Sequence, residues 1–305
     1  MSESSPQPPP NSQTEPVPSG PVEIDENTDI STLSAAQVYE LNQNLLNETA
    51  DVNRPLIDQV LPISELRAEY ERGSPAFVKQ IDWLKERGFQ KIRRARGDGD
   101  CFYRALSFAY VERLLKSPDP PSAVADALRI LSGTPEMLEN VGFQKLVFED
   151  FYDIFEGLLK SISVPHTPDL PESEGGGMDE AILLSAFQNP ETSNSIVMYM
   201  RLLTSAQIRL DPDTYSPFLF HPEIGESMEV REFCENFVEA TGKEADHVQM
   251  TALSRALHVD IDVAYLDGRS NDGQVEFVQF RQEQQTGEKP ISLLYRPGHY
   301  DILVR

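Results

Sequence analysis

Two cysteines and five histidines are the side chains of this chain best suited to nucleophilic and general-base work. Cys101 follows the loop Arg96-Gly97-Asp98-Gly99-Asp100 and opens an apolar-periodic run through Phe102, Ala105, Leu106, Ala109 and Tyr110. The spacing predicts an amphipathic helix ending before Pro118, with the sulfur in its first turn. A helix N-terminus favours negative charge and so favours a thiolate. The two glycines let the preceding loop turn its backbone N–H groups inward, as an oxyanion hole requires. By local sequence alone a second reading stays open, in which the loop is an ordinary surface turn and Cys101 a half-buried cap. Cys234, in Val230-Arg231-Glu232-Phe233-Cys234-Glu235-Asn236-Phe237-Val238, sits on an apolar helical face and reads as a buried structural thiol.

A nucleophilic thiol needs a base, usually histidine. In His299-Tyr300-Asp301 an imidazole and a carboxylate stand two apart. On a strand, such residues share a face about 7 Å apart along the chain. The carboxylate can then hold one ring nitrogen while the other meets the nucleophile, which fixes tautomer and ring direction. Tyr300, Ile302 and Val304 are then expected to face the core. The alternative is an edge-strand histidine beside a solvated aspartate. His166 lies in a Pro/Gly-rich stretch and His221 in a Pro-flanked loop. His247 stands at a helix start and His258 at a helix-to-strand junction, neither with a partner at a telling offset.

Other chemistries find less support. The chain holds no CxxC, no HExxH, no phosphate loop and no GxSxG. No metal and no cofactor is expected. Lys91–Arg96 is a short basic run in a chain of net charge −24, which repels phosphate backbones and anionic membranes, so neither nucleic acid nor membrane is an expected partner.

The elements that must position these groups read as α+β. Residues 1–30 hold seven prolines, six acids and no Lys or Arg, and are expected to be a disordered tail. That leaves −18 on residues 31–305, which read as one catalytic-size domain beginning with a helical arm over about 31–60. Within the arm, Ser34 can cap a helix bearing Val38, Leu41, Leu45 and Leu46, stopped by Pro55. Further helices are predicted at 63–70, 76–87, 101 to before Pro118, 122–131, 136–161, 179–188, 192–209, 228–240 and 247–257. Phe89–Ala95 is open between strand and loop. Pro165–Gly177 (PHTPDLPESEGGG) reads as a flexible insertion. Strands are predicted at 259–265, 275–280, 291–296 and 299–305, the last two joined by a Pro297-Gly298 turn. The expected sheet is small, mainly C-terminal and flanked by helices. Two cysteines give no disulfide framework, no apolar run approaches 18 residues, and the N-terminus lacks a leader pattern. A reducing compartment is expected, cytoplasm with the nucleus as a second possibility.

The motifs together resemble a known family. Asp98-Gly99-Asp100-Cys101-Phe102-Tyr103-Arg104-Ala105 looks like the nucleophile motif of the ovarian-tumour (OTU) deubiquitinases. Leu293–Leu303 (LLYRPGHYDIL) looks like the histidine motif of their otubain branch. Tyr199–Ser205, Val230–Cys234 and Ala245-Asp246-His247 also match otubains in order and approximate spacing, and the likeness covers roughly residues 35–305. The resemblance implies a helix-rich, cysteine-protease-like OTU fold and a cysteine isopeptidase that removes ubiquitin from lysine, with lysine-48-linked polyubiquitin preferred. It implies Cys101 as nucleophile, His299 as general base and Asp301 as the residue orienting it. Asp98 matches the aspartate of the loop whose amides form the oxyanion hole. Ubiquitin and its chains are the implied partners, with ubiquitin-conjugating enzymes for a second, non-catalytic role in which the Ser34–Asn47 helix takes part. A monomer is expected. Two features depart from the family. Asp100 stands where relatives often carry Asn, and its charge disfavours a thiolate unless it points to solvent. The Pro165–Gly177 insertion is longer than the family's matching segment.

Overall fold

The computed structural model describes residues 54–71, 73, 75–164, 177–270, 272–282 and 288–305. The expected tail over 1–30, the Ser34 helix and nearly all of the Pro165–Gly177 insertion lie outside these residues.

Six strands form one sheet: β1 (Ile57–Pro62), β2 (Lys91–Ala95), β3 (Ile261–Tyr265), β4 (Glu276–Phe280), β5 (Ile291–Arg296) and β6 (His299–Val304). Their order is β1-β2-β6-β5-β3-β4, antiparallel throughout except for the parallel pair of β3 and β5. The arm expected to be helical to residue 60 is therefore corrected at its end. Ile57–Pro62 pairs with β2 across an irregularity between Ile57 and Val60, and Pro62 favours extended backbone at Leu61 before the helix that follows. Within Phe89–Ala95 the strand is Lys91–Ala95, which pairs with β1 on one side and β6 on the other.

Helices cover both faces. On one face lie α1 (Ile63–Tyr70) and α2 (Pro75–Glu86), whose Leu66, Tyr70, Phe77 and Ile81 pack with Ile92, Leu294 and Leu303 of the sheet. On the other lies α3 (Cys101–Leu115), packed with Leu293, Tyr300 and Ile302. Neighbouring residues of β5 and β6 thus point into two different cores, so β6 is buried at every position but its last. A strand buried on both faces carries apolar side chains on both. This corrects the sequence picture: Tyr300 and Ile302 face the α3 core as expected, but His299, Asp301 and Leu303 on the other face are buried too, and Val304 is only half-buried.

Behind α3 stand α4 (Pro120–Leu131), α5 (Thr134–Asn140), α6 (Lys145–Ile162), α7 (Glu180–Gln188), α8 (Pro190–Leu210), α9 (Pro212–Tyr215), α10 (Val230–Phe233) and α11 (His247–Leu257). The single helix expected over 136–161 is two, because Gly142 takes φ +96°, a left-handed conformation that closes a helix and suits glycine. The helix expected over 228–240 is a single α-turn followed by a π-helical stretch, Cys234–Val238. Caps agree with the residues present: Asp119, Asp179 and Asn189 each accept first-turn N–H groups, with Pro at the first turn after Asp119 and Asn189. The longest helix, α8, runs through the core and packs on α3, α6 and α11.

Leu294 is fully buried between the sheet and the α1–α2 layer. Leu294→Ala is expected to cost about 2–5 kcal/mol, read as a lower urea midpoint at unchanged m-value.

Candidate active site

The loop ahead of α3 is held by its own polar groups. Arg96 N–H donates to Leu56 O at 3.0 Å and Asp98 N–H to Arg96 O at 3.0 Å. One Asp98 carboxylate oxygen accepts the Asp100 N–H at 3.0 Å and the other accepts Arg104 Nη2 at 2.6 Å. Arg104 has no exposed surface, and its other terminal nitrogen donates to Ser193 Oγ at 2.8 Å and Asn194 Oδ1 at 3.2 Å on α8. Asp98 is thus the clasp of the loop. Gly99 has φ +79°, and a Cβ there would lie 2.2 Å from Gly242 O, so no other residue fits.

Cys101 is the first residue of α3 and is 1% exposed. Asp100, just ahead of it, makes no side-chain cap to this helix. Its carboxylate neither points to open solvent nor stands free. Oδ1 accepts Arg201 Nε at 2.8 Å, Arg201 Nη2 at 2.5 Å and Gly242 N–H at 3.1 Å. The departure that threatened a thiolate is neutralised by a buried arginine.

The two-residue turn Pro297-Gly298, with Gly298 at φ +80°, folds β6 back on β5 and sets Arg296 opposite His299. His299 Nε2 lies 2.8 Å from Asp301 Oδ1, and both residues are buried. Asp301 Oδ1 also accepts Ala95 N–H at 3.1 Å, while Oδ2 accepts Arg296 Nη2 at 2.6 Å across the hairpin diagonal. Arg296 stands 3.6 Å from Glu69 on α1, which also pairs with Arg94. The other imidazole nitrogen, Nδ1, is buried with no hydrogen-bond partner, and the Cβ position of Gly97 would lie 3.5 Å from it. The Cys101 sulfur acts on this ring by charge. Residues 198 positions apart, Cys101 and His299, are therefore brought together, with Asp301 behind the ring and the Asp98 loop beside it.

The electrostatics follow from this packing. Burial disfavours the imidazolium, but Asp301 and Cys101 outweigh burial and push the His299 pKa up to about 9. Burial also opposes the Asp301 carboxylate, yet His299 and Arg296 hold its pKa well below the ordinary carboxylate range. Cys234 differs: fully buried, its sulfur faces Ser205 O at 3.9 Å and burial pushes its pKa up to about 11, as suits a structural thiol.

The remaining histidines lie elsewhere. His247 Nδ1 contacts its neighbour Asp246 at 2.8 Å, and Asp246 and Gln249 form a capping box for α11, the helix start expected there. His258 closes α11 at φ +51°. His221 packs against Phe237, and His166 is outside the described residues. Among the described residues no cluster of three His, Cys, Asp or Glu side chains is placed to hold a metal ion. A cleft of about 640 Å³ lies alongside the site, lined by Tyr300, Ala245, Asp246, His247, Phe220 and Glu223 among others.

Sequence reasoning gave no role to Arg104, Arg201 or Arg296. The available signal was a charge inside an apolar run, as in Met200-Arg201-Leu202, because an arginine is rarely fully buried unless paired.

Because the folded pKa of His299 lies above its unfolded value (~6.5), the ion pair with Asp301 contributes stability that is fully present below that value and lost as pH rises through about 9. Unfolding titrations from pH 6 to 10 are expected to show this loss in the wild type and not in Asp301→Asn. In that variant the imidazole resonances are expected to titrate well below 9, and turnover is expected to fall.

Comparison with known proteins gives a consistent picture. The family profile described as "Peptidase C65 Otubain" matches residues 49–305. The chain is 36% identical over 260 residues to the OVARIAN TUMOR DOMAIN-containing deubiquitinating enzyme 1 of Arabidopsis thaliana, covering 82% of this chain and 80% of that protein. It is 32% identical to human Ubiquitin thioesterase OTUB1, covering 90% of this chain and 93% of the relative. A solved complex described as h/ceOTUB1-ubiquitin aldehyde-UBC13~Ub superposes at a TM-score of 0.69 and 28% identity, covering 88% of this chain and 95% of that one. A cysteine at a helix start, an aspartate-held histidine at the start of a central strand, and a match spanning nearly all of the described residues lead to one conclusion: the chain belongs to the otubain family of C65 peptidases.

Proposed function

We propose that the protein is a cysteine deubiquitinase that hydrolyses isopeptide bonds to ubiquitin, preferring chains joined through lysine 48. The observation that carries this reading is the His299 ring, fixed at Nε2 by Asp301 and open at Nδ1, with Cys101 acting on the same ring. The names of the relatives, ubiquitin thioesterases and a deubiquitinating enzyme, supply the substrate class. A net charge of −18 on residues 31–305 suits ubiquitin's basic binding face. A reducing compartment, cytoplasm or nucleus, suits a free thiol.

The cycle is acyl transfer. His299 holds the Cys101 proton as the imidazolium its raised pKa favours, and the sulfur, as thiolate, attacks the carbonyl carbon of ubiquitin's C-terminal glycine. The carbonyl oxygen becomes an oxyanion. The Asp98 and Asp100 amides are already bonded within the loop, whereas those of Gly99 and Cys101 have no acceptor among the described residues. The latter two are the proposed oxyanion donors, each worth roughly 3 kcal/mol. As the tetrahedral species collapses, the C–N bond breaks and the imidazolium gives its proton to the departing lysine amine. Water, deprotonated by His299, then adds to the thioester and releases the ubiquitin carboxylate and the thiol.

A second reading, binding of a ubiquitin-charged conjugating enzyme without hydrolysis, is favoured by one observation: solved relatives were captured with UBC13~Ub and UBCH5B~Ub. Full-length Cys101→Ser that blocks ubiquitin transfer from a charged conjugating enzyme supports it; unhindered transfer removes it.

A panel of ubiquitin dimers tests the main reading. Wild type is expected to cleave the lysine-48 dimer fastest, and Cys101→Ser is expected to lose cleavage while keeping its melting temperature. Full activity in Cys101→Ser would end the assignment, and equal rates on every linkage would end the linkage preference alone.

A further inference from the structure

Arg201 is the most heavily engaged side chain near the site that the reaction scheme leaves without a role. It has no exposed surface and comes from α8, not from the loop it serves. Its guanidinium lies over the Tyr103 ring, 4.3 Å from the centroid. It donates to the Asp100 carboxylate through Nε and Nη2, to Gly99 O at 3.1 Å, to Val238 O at 2.9 Å and to Lys243 O at 2.7 Å. Two of these acceptors belong to the loop that delivers Cys101. The other two belong to the segment that starts at the π-helical stretch and continues into the wall of the cleft beside Tyr300. In that stretch the Glu239 N–H reaches back five residues to Cys234 O at 2.8 Å. A π-turn of this kind often marks a functional position. The two segments also touch directly, since Gly99 leaves no room for a Cβ against Gly242.

We propose that Arg201 is a positioning residue for Cys101: it staples the Gly99-Asp100 loop to the 238–243 segment and cancels the Asp100 charge beside the sulfur. A fork of donors does both, where a point charge does only the second. The other charged and titratable groups around the thiol are Asp98 with Arg104 from its own loop and helix, and His299 and Tyr300 from β6. The inference rests on Cys101 being the nucleophile.

Alkylation of Cys101 by iodoacetamide, followed by peptide mass spectrometry across pH, tests it without ubiquitin. Its outcome therefore stands apart from that of the substrate assignment. Asp100→Asn keeps an acceptor for Arg201 and removes the charge; the alkylation profile is expected to move to lower pH. Arg201→Met leaves Asp100 unpaired and is expected to move it to higher pH, and the double variant is expected to lie between. Arg201→Lys keeps the charge without the fork; it is expected to leave the alkylation profile in place while kcat on the ubiquitin dimer falls about tenfold or more at unchanged KM. Should Arg201→Met not fold, Asp100→Asn and Arg201→Lys carry the test. An unmoved alkylation profile in Asp100→Asn, with only melting temperatures altered, overturns the proposal.

Discussion

A carboxylate with no access to water sets the terms for this site. Asp301 is fully buried, and burial by itself would favour its neutral form. It stays charged because its oxygens meet the His299 ring, the Ala95 N–H and the Arg296 guanidinium. Removing one partner from a buried, hydrogen-bonded pair is far more damaging than losing a surface one. The hairpin of β5 and β6, the neighbouring β2 and the α1 helix that brings Glu69 to Arg296 are thereby tied to one imidazole.

A chain of alternating charge runs inward from this arrangement. Arg94 pairs with Glu69, Glu69 with Arg296, Arg296 with Asp301 and Asp301 with His299. Each member screens the next, so a strongly acidic protein carries buried cations around the His299 ring. The loop ahead of Cys101 repeats the pattern with Arg104 on Asp98 and Arg201 on Asp100. Both arginines are fully buried, which fixes their planar heads and lets a flexible glycine loop present one conformation.

The two halves of the site are built differently. His299 sits on a central strand whose position is fixed by ladder bonds on both sides. Cys101 sits at a helix start whose aim depends on side chains delivered by α8 and by the 238–243 segment. That segment continues into the cleft wall, so the cleft and the loop ahead of Cys101 share a support.

Much of this was legible without coordinates. The glycine–aspartate loop before a helical cysteine, the i, i+2 spacing of His299 and Asp301, the Pro-Gly turn and the four C-terminal strands all rest on local rules: periodicity, turn chemistry and helix ends. Those rules misread Gly142, whose left-handed turn splits a helix, and Ile57–Pro62, whose strand forms only because β2 lies beside it. They also left His299 between edge strand and core, because alternation cannot count the layers that cover a sheet. By itself the sequence determined which groups have the chemistry and which local element carries each. Only the tertiary structure decided that Asp100 is paired with a buried arginine, that Asp301 is charged in the interior, and that Arg104, Arg201 and Arg296 hold the site together. Charge and hydrogen bonding act across space, between residues whose separation along the chain carries no signal.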